Sequence, residues 1–214
     1  MQSTVLIYLS GTGPIRFPVE IDKLKLVKVI AADSGIELAQ KHNTHVDVLV
    51  GDLDSASEHC ILIAEKDGTE IIEFDIDKDF TDFELAVAEA KTTDAERLII
   101  IGGGGLRSDH LLANISVLAG SHTEEFIVDI YFENEILKIC RNNQPRNIYG
   151  KIGSLVSLIP VNGDVQGVTT NNLKWNLENE KLSSSRALGI SNVLLDNEAD
   201  IEIKSGSLLI VQQI

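Results

Sequence analysis

The chain has 214 residues, with 18 Lys and Arg against 33 Asp and Glu, a formal net charge of −15. That balance excludes a binder of the nucleic-acid backbone, which depends on clustered Lys and Arg. A hydrophobic share of 43% excludes disorder, and the length suits one large or two small domains.

The charge is unevenly spread. Residues 1–140 hold 11 basic and 26 acidic side chains, whereas residues 141–214 hold 7 of each. An acidic front and a neutral back suggest two modules with different tasks. The longest apolar runs, such as Leu98–Ile101, are too short to span a bilayer. The start, MQSTVLIYLSGTG, has no basic n-region and reads as a strand rather than a signal peptide. Cys60 and Cys140 form neither a metal motif nor a disulfide framework. The expectation is a cytoplasmic protein without membrane or nucleic-acid partners.

In chain order, strands are expected at Thr4–Leu9, Val27–Ala31, Val46–Val50, Thr69–Phe74, Arg97–Ile101 and Phe126–Tyr131. Helices are expected between them at Gly35–Lys41, Ser55–Lys66, Thr81–Lys91 and Asp109–Ala119. Near-continuous apolar strands alternating with helices imply a parallel sheet covered on both faces. The remainder reads as all-β. Short segments at Ser154–Ile159, Gly163–Val168, Lys174–Leu177, Gly189–Leu194, Asp200–Ile203 and Ser207–Val211 are split by Gly, Asn and Ser. The polar RNNQP stretch at 141–145 marks the expected boundary between domains 1–140 and 146–214.

Three strand-to-helix junctions share one layout, with Ser34/Glu37, Ser55/Glu58 and Thr81/Glu84 at capping-box spacing. Caps do not use every carboxylate. Asp52 and Asp54 lie two apart after an apolar strand, so in extended chain they point to one side. Asp79 and Asp82 lie three apart at a helix start. Parallel strands end on a common edge. Asp33, Asp52, Asp54, Asp79 and Asp82 therefore converge there, either as solvated caps or as hard oxygen ligands suited to Mg²⁺.

The fourth junction is Ile101-Gly102-Gly103-Gly104-Gly105-Leu106-Arg107-Ser108-Asp109-His110. Its glycines permit close backbone approach to a phosphate, and Arg107 adds a fork of donors. It is neither a Walker A loop nor a dinucleotide fingerprint. A flexible turn would use the same residues.

GDLDS (51–55), KDFTDFELAV (78–87) and GGGGLRSDHLLANI (102–115) resemble the signatures of the thiamine pyrophosphokinase family. VTTNNLKWNL (168–177), GISN (189–192) and GSLLIV (206–211) resemble that family's thiamine-binding β-domain. The resemblance implies an α/β fold: an N-terminal parallel-sheet Rossmann-like nucleotide domain followed by a C-terminal all-β sandwich. It implies transfer of pyrophosphate from ATP to the hydroxyl of thiamine, giving thiamine diphosphate and AMP. It also implies a homodimer with active sites between the α/β domain of one subunit and the β-domain of the other. Residue by residue, Asp52, Asp54 and Asp82 match Mg²⁺-binding carboxylates, and Asp33 and Asp79 match further acidic positions. Gly102, Gly105, Arg107 and Asp109 match the nucleotide loop, and Trp175, Ser191 and Asn192 match the thiamine pocket.

The sequence departs from the family pattern at Leu106, where a second glycine usually precedes the Arg, and at Asn172, where Gly is frequent. Chemically, Arg107 and Lys78 would steady the transferred group, with Asp79 or Asp109 taking the proton of the hydroxyl. Trp175 would offer an aromatic face to a cationic ring, or else pack as a sandwich residue. The rival enzyme is a divalent-metal-dependent phosphohydrolase using the same acidic rim. The non-enzymatic rival is a nucleotide- or thiamine-binding protein.

Overall fold

The computed structural model describes residues 2–15, 23–75, 79–105 and 107–214. The chain is mixed α/β and divides into two compact units. One comprises residues 1–114 with Ile130–Glu133, the other Ile115–Asp129 with Asn134–Ile214.

The first unit is built on parallel strands. β1 (Ser3–Tyr8) pairs with β2 (Lys25–Ala32) on one side and β5 (Arg97–Ile101) on the other. β2 continues to β3 (Val48–Gly51), and β3 to β4 (Glu70–Glu73). All six residues of β1 are buried, in keeping with a strand covered on both faces. Each large aliphatic side chain so buried contributes about 1.5–3 kcal/mol. Helices α1 (Gly35–Lys41), α2 (Glu58–Lys66), α3 (Asp82–Ala90) and α4 (Ser108–Ala119) follow β2, β3, β4 and β5 in turn, α4 passing into the second unit at Ile115. α3 packs on β2 and β3 through Phe83, Ala86, Val87 and Ala90. No helix among the described residues is long and apolar enough to cross a membrane.

The second unit is antiparallel. β7 (Glu135–Arg141) pairs with β13 (Ser205–Gln213), and β13 with β9 (Leu155–Asn171). β12 (Glu198–Glu202) lies between the end of β9 and β8 (Arg146–Tyr149). β10 (Glu180–Leu182) and β11 (Asn192–Val193) also pair with β9. β6 (Ile127–Tyr131) supplies residues to both units. The apolar core of this unit includes Cys140, Ile148, Leu158, Val165, Leu194 and Ile210. Its buried charges are matched: the Asp129 carboxylate bonds Arg146, and Lys138 lies 3.6 Å from it. Arg141 is buried too, and its guanidinium donates to the Leu118 and Phe126 carbonyls and to Thr123 Oγ1.

Three differences from the sequence expectation have local causes. The RNNQP stretch is a tight turn joining β7 to β8 inside the second unit, with Gln144 N–H donating to Arg141 O and Asn143 at φ 63°. The segments 154–159 and 163–168 run together as β9, which carries an irregularity at Asn162 (φ 60°) and Gly163 (φ 137°) where it changes pairing partners. Lys174–Leu177 forms no strand, because the chain there is a turn held by side-chain amides.

Candidate active site

The carboxylates converge by way of backbone conformation. Asp33 follows β2 at φ 48°, in the left-handed region that Asp tolerates better than most residues. Gly51 closes β3 at φ 144°. A side chain there would press on the Asp82 carboxylate at 3.1 Å and on Asp33 Cβ at 3.3 Å. Glycine at 51 therefore lets two acidic side chains from different junctions approach over its backbone. The result is a group of three, Asp33, Asp52 and Asp82, with oxygens within 4.8 Å of one another. Each is only partly exposed. Asp33 Oδ1 is buried with no hydrogen-bond partner, while Oδ2 accepts from Ser55 Oγ.

Asp54 stands apart from that trio. The extended-chain argument fails at Leu53, whose φ of 60° turns the backbone between the two carboxylates. Asp54 is exposed, and its backbone N–H donates to Asp52 Oδ1 at 3.2 Å. Its pKa is still pushed up, first by the Asp52 charge, then by desolvation and a side-chain hydrogen bond with Asp52, and further by Asp33 and Asp82. The acidic field therefore reaches Asp54 although its oxygens are outside the trio. Asp79 is exposed, two positions before the cap of α3. Lys78 and Leu106 lie outside the described residues.

The caps resolve unequally. Thr81 and Glu84 form a full capping box that presents Asp82 in the first turn of α3. Ser34 makes no side-chain cap bond. Ser55 is not a cap, because α2 starts at Glu58 and is capped by Ser57 Oγ accepting from Cys60 N–H. Ser55 is thereby free to reach across, and its hydroxyl meets both Asp33 and Ser34 Oγ.

The glycine run approaches protein backbone as well. Gly102 N–H donates to Tyr131 O and Gly103 N–H to Ser10 O, while Gly104 O accepts from Thr12 N–H at 2.9 Å. Side chains at Gly102 and Gly11 would run into the Leu9 and Gly104 carbonyls. The Ser10-Gly11-Thr12 turn after β1 is thus part of this site, and sequence reasoning missed it. The available signal was a Gly-Thr-Gly turn directly after an apolar strand. Beyond the run, Arg107 grips Asp109 with two bonds, of 2.6 and 3.2 Å. That hydrogen bond holds the Asp109 carboxyl at about 2, aided by His110 N–H. Both side chains are about two-thirds exposed, so Arg107 is accessible to a further anion.

In the second unit, Trp175 is 55% exposed. Lys174 Nζ sits 4.6 Å from the centroid of its ring. Asn192 is buried, and its carboxamide bonds the Trp175 backbone at both N–H and carbonyl. It is therefore a holder of Trp175 rather than an open donor. Ser191 is exposed in the left-handed region at φ 58°, and its N–H donates to Ser157 Oγ.

Parallel strands ending in a carboxylate trio and an arginine-bearing glycine turn place the chain among α/β proteins that carry their sites at the carboxyl ends of the strands. The thiamin pyrophosphokinase catalytic domain matches residues 24–130, and the thiamin pyrophosphokinase vitamin B1 binding domain matches residues 141–209. The chain belongs to the thiamine pyrophosphokinase family. It is 29% identical over 173 residues to thiamine pyrophosphokinase 3 of Oryza sativa subsp. japonica, covering 77% of this chain and 64% of that protein. It is 24% identical over 162 residues to thiamine pyrophosphokinase of Bacillus subtilis, covering 76% of each. The crystal structure of the Bacillus subtilis thiamine pyrophosphokinase shares the fold, with TM-score 0.84, 22% identity and 98% of both chains covered. So does yeast thiamin pyrophosphokinase, with TM-score 0.75, 18% identity, 100% of this chain and 86% of that one. The chain thus spans just under two thirds of the rice relative's length.

Proposed function

We propose that the protein is a magnesium-assisted thiamine pyrophosphokinase, with a Rossmann-like nucleotide domain, a thiamine-binding β-sandwich and a homodimeric, cytoplasmic form. The observation that carries the reading is the match of both family domains, in order, to a chain whose acidic residues gather at the strand ends. Three carboxylates within 4.8 Å, with Asp33 Oδ1 buried and unbonded, fit a small hard cation. Asp33, Asp52 and Asp82 would hold Mg²⁺, with Asp54 at the margin. When bound, the ion supplies neutralisation of phosphate charge.

The chain's own groups do the rest. Arg107 offers its guanidinium to the phosphate chain, leaving Asp109 as its anchor. The Ser10–Thr12 turn fixes the glycine run, so the backbone there needs little reorganisation when a nucleotide binds. Trp175, steadied by Asn192, gives an aromatic face to the vitamin. The thiamine hydroxyl oxygen forms a bond to the β-phosphorus of ATP, the bond from that phosphorus to the bridging oxygen breaks, and AMP leaves with that oxygen. The hydroxyl proton goes to a carboxylate. Asp79 and Asp109 are the carboxylates proposed to take it.

Family membership favours this transfer over metal-dependent phosphate-ester hydrolysis. The test is incubation with Mg-ATP and thiamine, followed by chromatography. Equal amounts of AMP and thiamine diphosphate are expected. Free phosphate or pyrophosphate without the diphosphate ester would overturn the reading.

A further inference from the structure

His42 is assigned no role by the site described above, yet it sits at one end of a chain of contacts that ends on the glycine run. It is the residue that closes α1. One ring nitrogen, Nε2, lies 2.9 Å from Pro14 O. A carbonyl only accepts, so Nε2 carries the hydrogen and donates. The other, Nδ1, lies 3.3 Å from Tyr8 Oη, which is also 2.9 Å from Thr44 Oγ1. In the neutral ring Nδ1 accepts from the Tyr8 hydroxyl, and Tyr8 accepts from Thr44. Tyr8 is fully buried at the end of β1 and meets the His42 ring edge to face, with centroids 5.7 Å apart. The imidazole is therefore fixed on one side by the core and on the other holds Pro14.

Pro14 ends the Ser10–Pro14 segment. Two residues before it, Thr12 N–H donates to Gly104 O, and Ser10 O takes the Gly103 N–H. The spacing between segment and glycine run is tight: a side chain on Gly105 would collide with Thr12, and one on Gly13 with Leu38 of α1. The segment is thus clasped between α1 with His42 and the glycine run. Release at Pro14 removes a hydrogen bond that ties the segment to the end of α1.

We infer that His42 is a positioning residue for the glycine run, acting through Pro14 and the Ser10–Thr12 turn. The link to nucleotide binding rests on the pyrophosphokinase reading; the positioning itself does not. The substrate consequence falls on the phosphate-bearing partner, because the contacts from Pro14 through Thr12 and Ser10 lead to the glycine run before Arg107.

The experiment compares His42→Phe, which keeps an aromatic ring against Tyr8, and His42→Gln, whose side-chain amide reaches Pro14 O as a donor. Amide hydrogen exchange is followed at Thr12 and Gly103 in the full chain without nucleotide, with Leu49 of β3 as an internal control. Exchange at Thr12 and Gly103 is expected to quicken about tenfold in His42→Phe, the effect of one lost hydrogen bond. It is expected to stay unchanged in His42→Gln, and at Leu49 in both. Unchanged exchange at Thr12 in His42→Phe, or equal acceleration at Leu49, overturns the proposal. If His42→Phe fails to fold, His42→Ala provides the same comparison. In kinetics, His42→Phe raises the KM for ATP several-fold and leaves that for thiamine in place. Quickened exchange with an unchanged ATP requirement keeps the positioning role and counts against the nucleotide role of the loop.

Discussion

The Asn192 side chain accepts from Trp175 backbone N–H at 3.1 Å and donates to Trp175 O at 2.8 Å, so one carboxamide satisfies both backbone polar groups of a single residue. Asn192 is buried, while the indole it steadies is more than half exposed. Removing the carboxamide strands both groups. Asn192→Ala is expected to cost about 1–3 kcal/mol of stability in urea unfolding. It also loosens the turn that carries the indole. Trp175 is the chain's one Trp, so its fluorescence anisotropy reports that turn directly and is expected to fall. The thiamine requirement rises, and the ATP requirement stays. An unchanged anisotropy would mean that the turn is held by Leu173, Lys174 and Asn176 without Asn192.

The acidic trio makes opposite predictions with and without metal. Three carboxylates within 4.8 Å repel one another. Without a divalent ion, Asp33→Asn is expected to raise the melting temperature, because one charge leaves the cluster. With millimolar Mg²⁺, the parent gains stability by linkage and the variant gains much less. Calorimetric scans of both proteins, with Mg²⁺ and with chelator, check this. Asp54→Asn should lose less of the Mg²⁺ effect than Asp33→Asn. An equal or larger loss would bring Asp54 into the ligand set.

The parallel strands were legible because β1, β3 and β5 are continuous apolar runs, and all four helices of the described residues fell where turn residues precede 3.6-period patterns. The gathering of Asp33, Asp52 and Asp82 on one edge was legible for the same reason, since parallel strands end together. What escaped was anything decided by a single dihedral or by a contact distant in sequence. Leu53 carries no sign that it adopts a positive φ, so the chain between Asp52 and Asp54 is not the extended one expected. β7 and β8 were missed because they bury charged residues, Arg141 and Arg146, that break the apolar pattern, and RNNQP reads equally as a linker or a turn. Asn192 was singled out as a pocket residue, but no spacing rule announces that its amide turns back to a peptide 17 residues earlier.

Arg107 and Asp109 give a pH dependence of defined sign. The Asp109 carboxyl is held at about 2, below its ordinary 3.8, chiefly by the hydrogen bond from Arg107. A depressed carboxyl favours the folded chain above its unfolded pKa, and that contribution disappears as pH falls through the folded value. The window is therefore about pH 4 down to 2. Both groups are about two-thirds exposed, so the contribution is small and shrinks with salt. Carboxyl-carbon NMR follows Asp109 directly. In Arg107→Gln its midpoint is expected to return to near the ordinary value, and a midpoint still near 2 would assign the shift to the start of α4 instead.

The first turn of α2 separates the two serines before it. Ser57 Oγ accepts from Cys60 N–H at 3.3 Å, so Ser57→Ala removes the cap and is expected to cost about 1 kcal/mol. Ser55 contributes nothing to that turn and instead ties the end of β3 to Asp33 and Ser34. Both substitutions can lower stability, so a melting curve alone does not tell them apart. The Cys60 amide does. Its hydrogen exchange is expected to quicken in Ser57→Ala and to keep its rate in Ser55→Ala. The reverse pattern would restore Ser55 and Glu58 as a capping box, start α2 earlier, and remove the Ser55 hydroxyl from the neighbourhood of the acidic trio.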